Sequence, residues 1–151
     1  MPEALSDSLR IIEPSSADEY RRYYELRWKI LRAPWNQPPG SEQDELEASC
    51  SHFMAIDGRR IITGVGRLQF NTIREAQIRY MAVEKEYEGI GIGRMLVNAL
   101  EQEARNKNMC TVILDAREPA VGFYQKLGYS IEKQSYVLFD KIQHYRMIKK
   151  I

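Results

Sequence analysis

The chain has 151 residues, of which 44% are hydrophobic and 28% charged, a size and balance that fit one globular domain and argue against disorder. Its formal net charge of +1 lacks the basic excess of a nucleic-acid binder. Its two cysteines, Cys50 and Cys110, make neither a disulfide framework nor a metal site.

The opening MPEALSDSLR has no basic segment followed by an apolar one, so no signal peptide is expected. No run of roughly 18 apolar residues is present to span a membrane. The expectation is a cytoplasmic protein with two buried thiols.

No repeat, low-complexity tract or linker divides the chain, which reads as one domain over 1–151. Leu9 to Glu13 is short, apolar and stopped by Pro14, a first strand. Ser16-Ala-Asp-Glu19 has the spacing of a capping box. Tyr20, Tyr24, Trp28 and Leu31 recur behind it at helical spacing, and Ala33-Pro34 ends the pattern because a residue before proline avoids the helical region. The stretch WNQPPGSEQDELEAS, residues 35–49, is a long connection with one acidic helical turn expected at Ser41 to Glu47; connections this long are often functional.

His52 to Ile56 and Ile61 to Phe70 flank an Asp57-Gly58 turn, a hairpin signal. Ala76 to Val83 makes a third strand of the meander. Gly93 to Asn108 is helical, with Glu101–Arg105 and Glu103–Lys107 ordered as favourable pairs. Thr111 to Asp115 is a β-branched strand, Glu118 to Leu127 a helix closed by Gly128, and Tyr136 to Phe139 and His144 to Ile148 are closing strands. The fold class is α/β (α+β), helices around one mixed sheet, whose exposed strand edges leave a homodimer open.

Between the third strand and its helix lies YEGIGIGRMLV, residues 87–97. Three glycines before a helix suggest that something approaches the main chain closely. A helix start offers unpartnered N–H groups and positive potential, which together bind phosphate. The P-loop pattern fails here, because Arg94 and Met95 follow Gly93. The GxGxxG pattern fails too, because the third position falls on Arg94 or Leu96. On the residues alone, a phosphate-binding loop and a ligand-free glycine turn both stand.

Residues 81–104, MAVEKEYEGIGIGRMLVNALEQEA, resemble the acetyl-CoA-binding motif of the GNAT N-acetyltransferases, with Glu88 standing where that family usually has Gln or Arg. Residues 116–129, AREPAVGFYQKLGY, resemble the downstream GNAT segment Ala-x-x-Phe-Tyr-x-Lys-x-Gly-Phe/Tyr. LRWKILRAPWNQPPG, GVGRLQ and HYRM are similar to the ElaA-type branch. The resemblance implies a GNAT fold with a mostly antiparallel sheet. It implies acetyl-CoA as cosubstrate and direct attack on it by a primary amine of a small molecule or protein. A non-catalytic acyl-CoA sensor on the same fold is the alternative.

The resemblance also implies roles for residues of this chain. Glu88, Gly89, Ile90, Gly91, Ile92, Gly93 and Arg94 would hold the coenzyme diphosphate. Met81, Ala82 and Val83 would line the splayed strand, with the Val83 main chain meeting the thioester oxygen, where charge develops and an N–H donor is needed. Tyr124 would contact the coenzyme and protonate the leaving thiolate. Arg117 stands where many relatives have an asparagine on the pantetheine arm. Arg27, Trp35, Gln37 and His144 are candidates for the acceptor pocket, with no metal expected. The base that deprotonates the amine is left among Glu75, Glu84, His52, His144 and ordered water, with His52 read as structural, Glu84 as solvated and Phe123 as core. Arg67, Arg79 and Arg117 are solvated by default, or bind a substrate carboxylate or coenzyme phosphates.

Overall fold

The structure is a computed structural model and describes residues 8–151; residues 1–7, which carry most of the signal-peptide reading, lie outside it. Ser16 caps the first helix, α1 (Ala17–Leu31), and the capping box is complete. The Ser16 hydroxyl accepts from the Glu19 N–H at 3.0 Å, and Glu19 accepts in return from the Ser16 N–H at 3.3 Å. The helix stops at Leu31, and the Ala33–Trp35 segment tightens into a 3₁₀ turn around Pro34.

Seven strands follow the order β1-β2-β3-β4-β5-β7-β6 in one sheet. They are β1 (Arg10–Ile12), β2 (Ser51–Ile56), β3 (Ile62–Phe70), β4 (Glu75–Val83), β5 (Thr111–Arg117), β6 (Ser130–Leu138) and β7 (Ile142–Lys150). Every neighbouring pair is antiparallel except β4–β5. The two closing strands are longer than their apolar residues suggest, because β6 is an edge strand whose polar residues face water. The acidic stretch from Ser41 forms turns and a 3₁₀ segment at Glu47–Ser49 rather than one helical turn.

Both faces of the sheet are covered, and β3 is buried almost end to end as a result. Tyr23, Leu26 and Leu31 of α1 pack with Met54, Ile56, Ile62 and Val65. The second helix, α2 (Ile92–Asn106), buries Leu96, Val97, Leu100 and Ala104. The third helix, α3 (Val121–Lys126), is preceded by a 3₁₀ turn at Glu118–Ala120, so the expected single helix is two pieces.

Cys50 is half-buried and Cys110 exposed, which corrects the expectation of two buried thiols. Each sits in the connection leading into a strand, outside the packed layers. Among the described residues no helix is long and apolar enough to cross a membrane.

Candidate active site

The sheet is interrupted at β4. Val65 pairs with Ala82 and Arg67 with Arg79, so Gly66 alone faces both Tyr80 and Met81. This is a β-bulge, and Tyr80 adopts φ 57° within it, a conformation that costs an aromatic residue energy and is held only by its surroundings. Those surroundings are cationic. The guanidinium carbons of Arg27, Arg67, Arg79 and Arg32 lie 4.4, 4.7, 4.8 and 5.7 Å from the Tyr80 ring centroid, within cation–π range.

Carboxylates from the long connection balance two of these charges, on Arg67 and Arg27. Asp44 takes two bonds from Arg67, at 2.7 and 3.0 Å, while Glu47 accepts from Arg67 at 2.7 Å and Arg27 at 2.9 Å. Arg27 and Arg67 are fully buried. The hydrogen bond from Arg67 holds Asp44 well below the usual carboxylate range, at about 2. Burial opposes the charge on Arg67, but Asp44 and Glu47 outweigh it and raise its pKa.

Past the bulge, β4 leaves β5. Their parallel pairing runs only from Glu75↔Thr111 to Ile78↔Leu114. The Glu84 N–H donates to the Thr63 carbonyl on the β3 side at 2.8 Å. Successive strand N–H groups alternate sides, so the Val83 N–H turns the other way, into the opening. Two cavities meet there. An open groove of about 490 Å³ runs along Met81, Ala82 and Val83 to Gly89, Gly91 and Arg94. A closer cavity of about 140 Å³ lies between Gln77, Arg79, Asp115, Arg117, Tyr136 and His144. Met81, Ala120 and Tyr124 line both.

The glycine loop closes the far end of the groove. No amide from Gly89 to Arg94 donates to a carbonyl among the described residues; the next one, Met95, bonds back to Gly91 at 3.0 Å. This row of free donors at a helix start, with no side chain on Gly89, Gly91 or Gly93, fits a diphosphate. The Glu88 amide is excluded from it, because that N–H already donates to Lys85 at 3.2 Å. Gly91 caps α2 at φ 95°, where a branched residue is strained, and a Cβ there would meet no atom nearer than Arg94, at 3.9 Å. Gly91→Val is therefore expected to weaken CoA binding by at least about tenfold. Unchanged affinity by calorimetry, in a variant whose circular dichroism is native, would refute this.

The model of the acetyltransferase (GNAT) family matches residues 20–129 of the chain. The chain belongs to the GNAT family. Its cosubstrate is acetyl-CoA, and it is an N-acetyltransferase. Among curated relatives, Bacillus subtilis YyaT is 32% identical over 111 residues, covering 73% of this chain and 72% of that one. The uncharacterized N-acetyltransferase YjcF of the same organism is 26% identical over 141 residues, covering 93% and 99%. A Lactobacillus plantarum crystal structure superposes with TM-score 0.83 at 21% identity, covering 95% of this chain and 98% of that one. Escherichia coli ElaA superposes with TM-score 0.77 at 16% identity over 93% and 97%. At that identity the likeness to ElaA carries the GNAT fold and not a branch.

Within this GNAT site the sequence-derived residues divide. Met81, Ala82, Val83, Glu88, Gly89, Gly91, Ile92, Gly93, Arg94 and Tyr124 line the larger groove. Ile90 does not; its side chain packs against the buried cluster of Leu9, Ala55, Tyr87, Ile92 and Leu96. Arg117 faces the smaller cavity rather than the groove. His144 lines that cavity, 4% exposed, stacked on Tyr136 at 4.3 Å, with Nδ1 3.0 Å from the Ile142 carbonyl. Burial, and then the positive Arg117, lower its pKa against hydrogen bonds to the Ile142 and Tyr136 backbone and the charge of Asp115, so the neutral ring is favoured.

Three acceptor candidates lie elsewhere. Arg27 is enclosed with Tyr23 and Glu47. Trp35 packs against Phe139, centroids 6.2 Å apart, next to the cavity residue Leu138. Gln37 is held by Trp28 Nε1 at 3.0 Å and the Trp35 carbonyl at 3.2 Å.

Arg67, solvated by default on sequence grounds, is instead buried in the ion-pair network. His52 is structural as read, between Tyr23 Oη at 2.8 Å and the Glu47 carbonyl at 2.7 Å. Glu84 is an ion-pair partner of Lys29 rather than a free loop carboxylate. Phe123 is 38% exposed on the groove wall, not core.

Sequence reasoning missed Tyr136 and Asp115. Asp115 pairs with Arg146 at 2.9 Å because β5 and β7 place the two opposite each other. That register has no local signature in either segment.

Proposed function

We propose that this GNAT protein transfers an acetyl group to a primary amine, of a small molecule or a protein, that enters the smaller cavity and attacks directly. The observation that carries this reading is the meeting of two cavities at Met81, Ala120 and Tyr124, where donor and acceptor would come together. The free amides from Gly89 to Arg94 would hold the coenzyme diphosphate. Acetyl-CoA supplies an activated acetyl thioester.

The chain's own residues supply the rest. The Val83 N–H, turned into the opening, meets the developing charge on the thioester oxygen. The amine nitrogen forms a C–N bond as the C–S bond breaks. Tyr124 gives its proton to the departing sulfur; its hydroxyl has no hydrogen-bond partner among the described residues and is free for this. Its pKa is raised by burial alone. Burial makes the phenol a weaker acid, and the same apolar surroundings raise the thiol too, so the more basic departing thiolate offsets that loss. His144, neutral and facing the acceptor cavity, takes the proton that the ammonium must lose before attack, and solvent receives it.

The unpaired thiols of Cys50 and Cys110 support a reducing, cytoplasmic setting. The edge strand β6, with Ile131 and Val137 exposed, offers a surface for a homodimer.

The test is to mix the purified protein with acetyl-CoA and a panel of amines and to monitor free thiol. Acceptor-dependent thiol release is expected. Tight CoA binding without such release across the panel would favour a coenzyme sensor instead.

A further inference from the structure

The smaller cavity carries an imbalance of charge that proton transfer does not need. Arg32, Arg79 and Arg117 all line it, against one carboxylate, Asp115. Asp115 is already taken: Arg146 holds it through two bonds, at 2.9 and 3.1 Å, and Gln77 adds a third at 3.3 Å.

The three arginines have little to balance them. Arg79 reaches Asp44 only at 3.5 Å, and Asp44 is bound more closely by Arg67. Arg32 donates to the carbonyls of Ser41 and Leu31, both at 3.1 Å, and to no carboxylate among the described residues. Arg117 is half-buried, and its guanidinium makes no hydrogen bond or ion pair with any described residue. Burial, with Arg32 as the next contributor, lowers its pKa, so the site works against its charge. A guanidinium kept in such a place without a partner wants an anion from outside the chain.

We propose that the acceptor is a small amine bearing its own anionic group, a carboxylate or a phosphate, which Arg117 and Arg32 grip while the amine faces Tyr124. This rests on the acetyl-transfer reading above and narrows it. The volume agrees: about 140 Å³ is the liquid share of about five waters, room for a molecule of small amino-acid size. The remaining wall, with Leu31, Ile78, Leu114 and Leu138, is apolar and suits an aliphatic body. Guanidinium geometry matches both anions through paired N–H donors. The same charges repel polycationic amines.

Matched acceptors test it. Leucine, leucinamide, phosphoethanolamine and spermidine are compared by thiol release. The amines with an anion are expected to exceed leucinamide in kcat/KM by about ten- to a hundred-fold, the range of a hydrogen-bonded charge, with spermidine lowest. Leucine ahead of phosphoethanolamine identifies the anion as a carboxylate, and the reverse as a phosphate. Arg117→Gln should raise the acceptor KM about tenfold or more while acetyl-CoA affinity changes less than about twofold.

Equal use of leucine and leucinamide, or a preference for spermidine, overturns the proposal. So does an Arg117→Gln variant that loses acetyl-CoA affinity instead, since that residue would then serve the coenzyme. A separate readout covers absent turnover: calorimetry of N-acetylleucine against N-acetylleucinamide with CoA present. Preference for the carboxylate supports the anion site even if acetyl transfer fails. No preference sinks the site whether or not transfer occurs.

Discussion

Arg67→Ala lowers the unfolding free energy by about 3–5 kcal/mol, because it strands charges that the fold has enclosed. Arg67 has no exposed surface and donates to Asp44, Glu47 and Gln69 at 2.6–3.0 Å. Without it, Asp44 keeps one ion pair, the longer contact to Arg79, beside the Leu46 N–H at 2.9 Å, and Glu47 keeps Arg27. The Tyr80 ring also loses one of its cations, so the bulge that turns β4 away from β5 loses support. Urea unfolding measures the loss. A change below about 1 kcal/mol would mean that the network contributes far less than its burial implies. Arg67→Met keeps the stem volume and isolates the charge; it should be destabilised nearly as much.

The same pair sets an acid limit. The pKa of Asp44 is depressed from 3.8 to about 2. A depressed carboxylate stabilises the fold fully above its unfolded value and loses that contribution as pH falls through its folded value. Asp44 is partly solvated, so screening reduces the contribution to about 1–2 kcal/mol. In wild type it is therefore lost between about pH 4 and pH 2. In Arg67→Ala that slope of stability against pH should flatten over this window, because the main cause of the depression is gone.

Tyr124→Phe should lower kcat by about a hundredfold, the lower range for loss of a general acid, with acetyl-CoA affinity nearly unchanged. The substitution removes only a hydroxyl that bonds to nothing in the described protein. The ring keeps its edge contacts with Phe123 at 4.9 Å and Tyr129 at 5.9 Å, so folding should hold. Burial raises this phenol above its ordinary 10.0, which keeps it protonated; no decline in wild-type rate from this group is expected below that pH. Steady-state kinetics with a calorimetric CoA titration decide it. Full turnover at saturating substrate would remove Tyr124 from the chemistry.

The features legible in the sequence are those encoded by neighbouring residues. The Ser16–Glu19 box lies within four positions, the glycine loop is one continuous run, and FYQKLGY carries Tyr124 with its own helix. What stayed hidden depends on residues far apart. Asp44 and Glu47 read as part of one acidic helical turn, yet they reach Arg67 and Arg27, 23 and 20 positions away. Burying three or more charges together is favourable only when each finds the other, and no local window displays that pairing. AQIRYMAV likewise reads as an unbroken strand. The residue types give no sign that Tyr80 takes a left-handed backbone, because three of its four cations come from α1, β3 and the turn after α1, and only Arg79 lies in its own strand.

Gly93 looks like one more phosphate-facing glycine, but its bare Cα has a second occupant. A Cβ there would come within 3.0 Å of the Phe123 ring, which already stands against it. Positions 93 and 123 are thus bound to each other like a peg and its socket. In descendants of this chain, a bulkier residue at 93 would push the Phe123 ring aside by a few tenths of an ångström, which a trimmed residue at 123 would relieve. Drift at this wall of the groove should favour paired steps, even where the coenzyme itself would tolerate a single change.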